Sequence, residues 1–186
     1  MENYPEPKKS RVFVVHGRNV KMRRALFDFL RTIGLRPIEW SEAIALTGKP
    51  SPFVGEILDA AMQYAQAIIV LFTGDDQARL RDEFLWVNDP VYERETTPQS
   101  RPNVIFEAGL ALGKYPERTI LIQIGVLRPF SDIAGRYFVR LRNTSKSRQG
   151  LAQRLRLAGC EVDLSGTDWH DAGDKHTKVP VFSTHR

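Results

Sequence analysis

Glu107 is the one acid in the apolar run Val104-Ile105-Phe106-Glu107-Ala108-Gly109-Leu110-Ala111-Leu112. A carboxylate in that company is costly to bury unless it is paired, hydrogen-bonded or protonated. The spacing predicts a helix, with Ser100 as its cap and Pro102 in its first turn, where a missing N–H costs nothing. Asn103 and Glu107 share a face at i,i+4 spacing. Gly109 and Gly113 strip side chains from one stripe and are expected to let the helix lie close against a sheet or another helix, so that Glu107 is partly buried. Two readings stand. One is a structural ion pair with Arg101 or Arg79, which the physics of this stretch alone favours; the other is a carboxylate held in a cleft for chemistry, where burial and perturbed proton affinity coincide.

Two further clusters come after apolar runs. His16-Gly17-Arg18-Asn19 succeeds Arg11–Val15, and Thr73-Gly74-Asp75-Asp76 succeeds Ala67–Phe72. His16 reads as a turn-flanking structural histidine or as a ligand contact. Asp75 and Asp76 read first as caps of a helix just after them, given how strongly Asp is preferred there. Trp86 reads as partly core, or as a wall of the cleft for a flat ring. Other chemistries lack their residues. No G-x-G-x-x-G follows the first strand, which argues against a dinucleotide bound in Rossmann style. Thr47-Gly48-Lys49-Pro50-Ser51 lacks the upstream glycine of a phosphate loop and has Pro50 where that motif needs Ser or Thr. His16, His170, His176 and His185 form no ligand cluster, so no metal site is expected.

The elements that must position these residues alternate. A mobile arm over residues 1–10 precedes a buried strand at Arg11–His16, then a helix with Ala25, Leu26, Phe29, Leu30 and Ile33 inward and Gly34 closing it. Leu35–Trp40 reads as a second strand whose Pro37 suggests an edge position. Ser41–Pro52 is expected as a long shaped loop, 53–66 as an amphipathic helix, and Ala67–Phe72 as a central strand. Residues 76–87 read as a helix with Leu80, Phe84, Leu85 and Val87 inward, and 88–100 as a polar loop into the Glu107 helix. Strands come next at Arg118–Ile124 and near Tyr137–Leu141, then a helix at Ser145–Ala158, and Cys160–Leu164 as a last short strand. Residues 165–186 read as a polar tail or linker. Apolar strands alternating with helices predict an α/β fold: a flavodoxin-like, doubly wound, parallel five-stranded sheet with helices on both faces. Ligands in such sheets sit beyond the carboxyl ends of the strands, where His16–Asn19, Trp40–Ser51, Thr73–Asp76 and the approach to Glu107 converge.

Composition bounds the rest. The 186 residues, 42% of them hydrophobic, suit one core. The apolar runs are too short to span a bilayer, the charged start does not resemble a signal peptide, and the single cysteine, Cys160, agrees with a reducing compartment. A cytoplasmic protein without membrane contact is the expectation. The net charge of +5 is uneven: nine Lys/Arg against four Asp/Glu over 1–40, five against eleven over 41–113, and ten against two over 114–158. A basic face suits an anionic ligand, a neighbouring copy's acidic surface, or solvent alone. Nucleic acid is disfavoured, because no reading motif appears and the basic residues are spread over several elements.

Taken together, Val12-Phe13-Val14-Val15-His16-Gly17-Arg18-Asn19, Ala67-Ile68-Ile69-Val70-Leu71-Phe72-Thr73-Gly74-Asp75-Asp76 and Arg101-Pro102-Asn103-Val104-Ile105-Phe106-Glu107-Ala108-Gly109 resemble the bacterial TIR-like domains, across roughly residues 11–164. Members of that family are found fused to cyclic-nucleotide sensors in anti-phage defence. The resemblance implies hydrolysis of NAD⁺ at the nicotinamide glycosidic bond, with NAD⁺ as substrate rather than cofactor. It places the catalytic glutamate on Glu107, and it makes His16, Gly17, Arg18, Asn19, Thr73, Asp75, Trp86, Arg101 and Asn103 candidates for substrate contact. Arg18 or Arg101 would meet the pyrophosphate, with surface salt bridges as their ordinary alternative. The loop Leu46–Ser51 would be the family's BB loop, although it lacks the Arg-Asp and Pro-Gly pattern of animal TIR domains. The resemblance also implies activation by TIR–TIR self-association, and a cyclic-nucleotide sensor supplied by a further domain or a separate protein. A non-catalytic TIR scaffold and a nucleoside deoxyribosyltransferase-like enzyme remain the alternatives.

Overall fold

The computed structural model describes residues 8–173. Strand β1 (Lys8–His16) takes in the last residues of the expected arm and leads to helix α1 (Val20–Thr32). Ala25, Leu26, Phe29 and Leu30 fall on one face at helical spacing, and all are buried. Gly34, at φ 81°, turns the chain in the left-handed region that a side chain disfavours, and β2 (Arg36–Pro37) comes next. β2 is an edge strand, as its proline required.

Ser41–Pro52 is not the long loop expected. Its first part is helix α2 (Trp40–Leu46), because Gly48, Pro50 and Pro52 all lie beyond Leu46 and nothing before them breaks a helix. An Arg11–Glu42 ion pair ties this helix to β1. Helix α3 (Val54–Tyr64) and strand β3 (Ala65–Phe72) then succeed it, with β3 at the centre of the sheet.

The chain next departs from expectation. Residues 76–87 form no helix; β4 (Asp76–Ala78) pairs antiparallel with β5 (Thr97–Gln99), and between them lie a 3₁₀ turn at Asp82–Phe84 and a short helix α4 (Val91–Arg94). Phe84 and Val87, expected inward, are 58% and 90% exposed. The physical reason is that both faces of the main sheet are already covered, so an amphipathic helix here would have no surface on which to bury its apolar side.

Helix α5 (Pro102–Lys114), β6 (Thr119–Gln123), β7 (Phe138–Arg140) and α6 (Ser145–Leu157) complete the domain. The main sheet is parallel throughout, in the order β2-β1-β3-β6-β7. Helices α1 and α6 cover one face, where Val12, Val14, Ile69 and Ile122 meet Phe29 and Leu151. Helices α3 and α5 cover the other, where Phe13, Val15, Ile68 and Val70 meet Leu58 and Ala108. Cys160–Leu164 forms no strand; it is tied down by two backbone bonds instead, from Glu161 N–H to Lys9 O and from Asp163 N–H to Ile33 O. The expected tail also begins inside the fold: Trp169 and Ala172 are buried, and the buried Arg148 donates to Ala172 O at 3.1 and 2.8 Å. An apolar indole and a guanidinium needing an acceptor hold this stretch down. The remainder, with His176 and His185, lies outside the described residues.

Candidate active site

Helix α5 starts differently from its expected pattern. Arg101, not Ser100, occupies the cap position, and Ser100 is buried with its hydroxyl donating to Thr73 O at 3.1 Å. That bond fastens the start of α5 to the carboxyl end of β3. Gly109 and Gly113 do not mediate close packing, since a Cβ at either would meet nothing within 4 Å. Ala108 and Ala111 are the small residues against the core. The helix rotates accordingly, and Glu107 points toward the ends of β1 and β2.

There a cleft of about 160 Å³ opens, lined by Glu107 together with His16, Arg23, Phe27, Glu39 and Trp40, over a floor that includes Phe13, Val15 and Leu58. Burial raises the Glu107 carboxyl above the ordinary glutamate range. Neither expected counter-ion reaches it: Arg79 pairs with Asp82 at 2.8 Å and Arg101 with Asp76 at 3.5 Å. Among the described residues Glu107 has no ion-pair or hydrogen-bond partner. The cleft's other acid differs, because Glu39 is held by Arg31 at 2.9 Å.

The turn after β1 is built around Asp75. Its carboxylate accepts the N–H groups of Arg18 at 2.5 Å and Asn19 at 3.3 Å, and the Thr73 hydroxyl at 2.6 Å. Asp75 therefore caps no helix of its own; it braces the entry to α1, where Asn19 is the N-cap and accepts the Met22 N–H at 3.2 Å. Gly17 is required beneath it, since a Cβ there would stand 2.0 Å from Asp75 Oδ2. His16 Nδ1 lies 2.8 Å from Gly17 O and, protonated, donates to it, which leaves Nε2 as an acceptor on the cleft. Burial lowers the His16 pKa first of all, and the ring is neutral at physiological pH. Phe27 meets it edge-on at 6.5 Å.

Of the ten sequence-derived candidates, Glu107 and His16 line the cleft, whereas Arg101 does not and is paired with Asp76. Gly17, Asn19, Thr73 and Asp75 shape its rim from behind, and Arg18 and Asn103 are exposed beside it. Trp86, 79% exposed on the β4–β5 excursion, is neither core nor cleft wall. The aromatic wall is Trp40, which the sequence places at the carboxyl rim of the sheet as the last residue of a strand but does not single out for substrate contact; it is the first residue of α2, three residues beyond β2. Cys160 takes no part, since burial in the core pushes its thiol up to about 12. Among the described residues there is no cluster that could hold a metal ion, and no helix is long and apolar enough to cross a membrane.

Residues 11–143 match the family model described as "CAP12/Pycsar effector protein, TIR domain". The chain is also 26% identical over 160 residues to the uncharacterised protein YuaY of Escherichia coli (strain K12). That alignment covers 84% of this chain and 48% of YuaY, so the chain spans about half the length of the curated relative it matches.

Proposed function

The chain belongs to the TIR-domain family of CAP12/Pycsar effector proteins, and on that footing we propose that it cleaves NAD⁺ at the bond between nicotinamide and ribose. The observation that carries this reading is the half-buried Glu107 carboxylate, without a counter-ion among the described residues, in a cleft walled by Trp40 and the neutral His16. Ordinary glycosides need a second carboxyl group to protonate the departing oxygen. Nicotinamide in NAD⁺ does not: it is bound as a cation, the C–N electron pair leaves with its ring nitrogen, and it departs neutral. The positive charge passes to the ribose as an oxocarbenium-like centre, which an ionised Glu107 stabilises electrostatically or traps covalently. Water then adds to the anomeric carbon and gives up its proton. Trp40 offers a face on which the nicotinamide ring stacks, and Arg18, or Arg101 on leaving Asp76, meets the pyrophosphate.

Self-association belongs to the same proposal. Phe53 and Val54, 80% and 61% exposed just after the loop that succeeds α2, offer an apolar contact through which one copy completes its neighbour's cleft. A cyclic-nucleotide sensor would supply the trigger from elsewhere. The test is chromatographic: NAD⁺ incubated with concentrated protein yields nicotinamide, whereas deoxynucleosides are left intact. Base release from a deoxynucleoside but not from NAD⁺ would transfer the site to deoxyribosyl chemistry.

A further inference from the structure

A cavity of about 980 Å³ lies apart from the smaller Glu107 cleft, and no Asp or Glu lines it. It lies at the carboxyl ends of three parallel strands, whose last residues Phe72, Gln123 and Arg140 contribute to its wall. Doubly wound sheets place ligands at such rims, and the volume falls within the range of roughly 300–1,000 Å³ usual for small-molecule sites. Its apolar part is aromatic. Phe72 meets Phe130 and Phe138 at 5.7 Å each, tilted by 53° and 52°, with Leu127 and Ile133 alongside.

The polar part has one sign. Arg128 is committed to Glu93, but the guanidinium groups of Arg140 and Arg142 are exposed and have no hydrogen-bond or ion-pair partner among the described residues. Phe138 and Arg140 stand two apart on β7 and so face the same side, about 7 Å from one another along the strand. An anion bound at Arg140 and a flat ring lodged against Phe138 are then separated by roughly the length of a pentose. Gln123 uses its Nε2 on Gly125 O at 2.9 Å, and Asn143 uses its Oδ1 on Arg148 at 2.7 Å. An amide oxygen and an amide nitrogen are left to read the edge of a heterocycle.

We propose that this cavity is a second ligand site, distinct from the Glu107 cleft, which takes a nucleoside monophosphate with its base among the phenylalanines and its phosphate on Arg140 and Arg142. Binding is direct to measure by calorimetry, with AMP, adenosine and ribose 5-phosphate as probes and no dependence on NAD⁺ turnover. AMP is expected to bind, and adenosine and ribose 5-phosphate to bind about tenfold or more weakly, each lacking half of the recognition. The Arg140→Ala/Arg142→Ala double variant, altered only at exposed side chains, loses AMP affinity by about tenfold or more. Ile133→Trp, which fills the cavity and leaves the arginines in place, loses it as well. Absence of AMP binding, equal binding of ribose 5-phosphate, or affinity undiminished in both variants overturns the proposal.

Discussion

A carboxyl group whose proton is held more tightly in the folded protein than in the unfolded chain leaves a signature in stability. Burial raises Glu107, so the folded state binds its proton to higher pH than the unfolded state does. Stability is consequently lost as pH rises from the ordinary glutamate value through the raised one. Glu107→Gln has no proton to lose: it is expected to melt at or above wild type at about pH 8, with the difference vanishing near pH 4. Thermal melts across that range check the sign, and a variant that melts lower at alkaline pH would mean that the carboxylate is paired. Glu107 is legible in the sequence because a lone acid in an apolar helical run is conspicuous. Trp40 is legible only as a rim residue, since nothing in the order of residues tells a tryptophan at the end of a strand from one at the start of a helix, where its ring walls the cleft. Asn103 shares the face of Glu107 but lies in solvent, because the helix is turned by Ala108 and Ala111 rather than by its glycines.

The turn between β1 and α1 works as one element with the end of β3. Asp75→Ala removes the acceptor of two backbone N–H groups and one hydroxyl, and is expected to cost about 1–3 kcal/mol in denaturant unfolding. Gly17→Ala drives a methyl group into the same carboxylate and costs about 2 kcal/mol. The two are not additive: once Asp75 is alanine, Gly17→Ala is nearly free, and a double-mutant cycle that came out additive would refute the contact. Elements of this kind show how far periodicity reads. Apolar runs such as Ile68–Phe72 are unambiguous because a parallel strand covered on both faces has no polar side. Leu80, Phe84, Leu85 and Val87 have helical spacing too, yet spacing cannot tell whether a surface remains to receive the helix, and here none does. Asp75 has the local pattern of a cap for a helix after β3, whereas its carboxylate serves the turn after β1 instead; that partnership spans 57 residues and leaves no local trace.

Across the domain, two apolar layers enclose a sheet whose carboxyl rim carries both the Glu107 cleft and the larger arginine-edged cavity. The α1/α6 layer extends past residue 164, where a polar composition conceals a single anchoring tryptophan. Trp169→Ala is expected to cost about 3–5 kcal/mol in unfolding free energy, and an unchanged melting temperature would return that segment to the status of a tail. The strand order and both faces are legible from the alternation of elements, whereas the folded-back segment depends on one side chain and one carbonyl, Trp169 and Ala172. Whether the domain is an NAD⁺-cleaving enzyme that works through Glu107 is decided by nicotinamide release from NAD⁺ by wild type and by Glu107→Gln, both concentrated with a crowding agent and both shown by melting to be folded. Release by wild type is expected, with a loss of about a hundredfold or more in the variant. Undiminished release by folded Glu107→Gln would remove Glu107 from the chemistry.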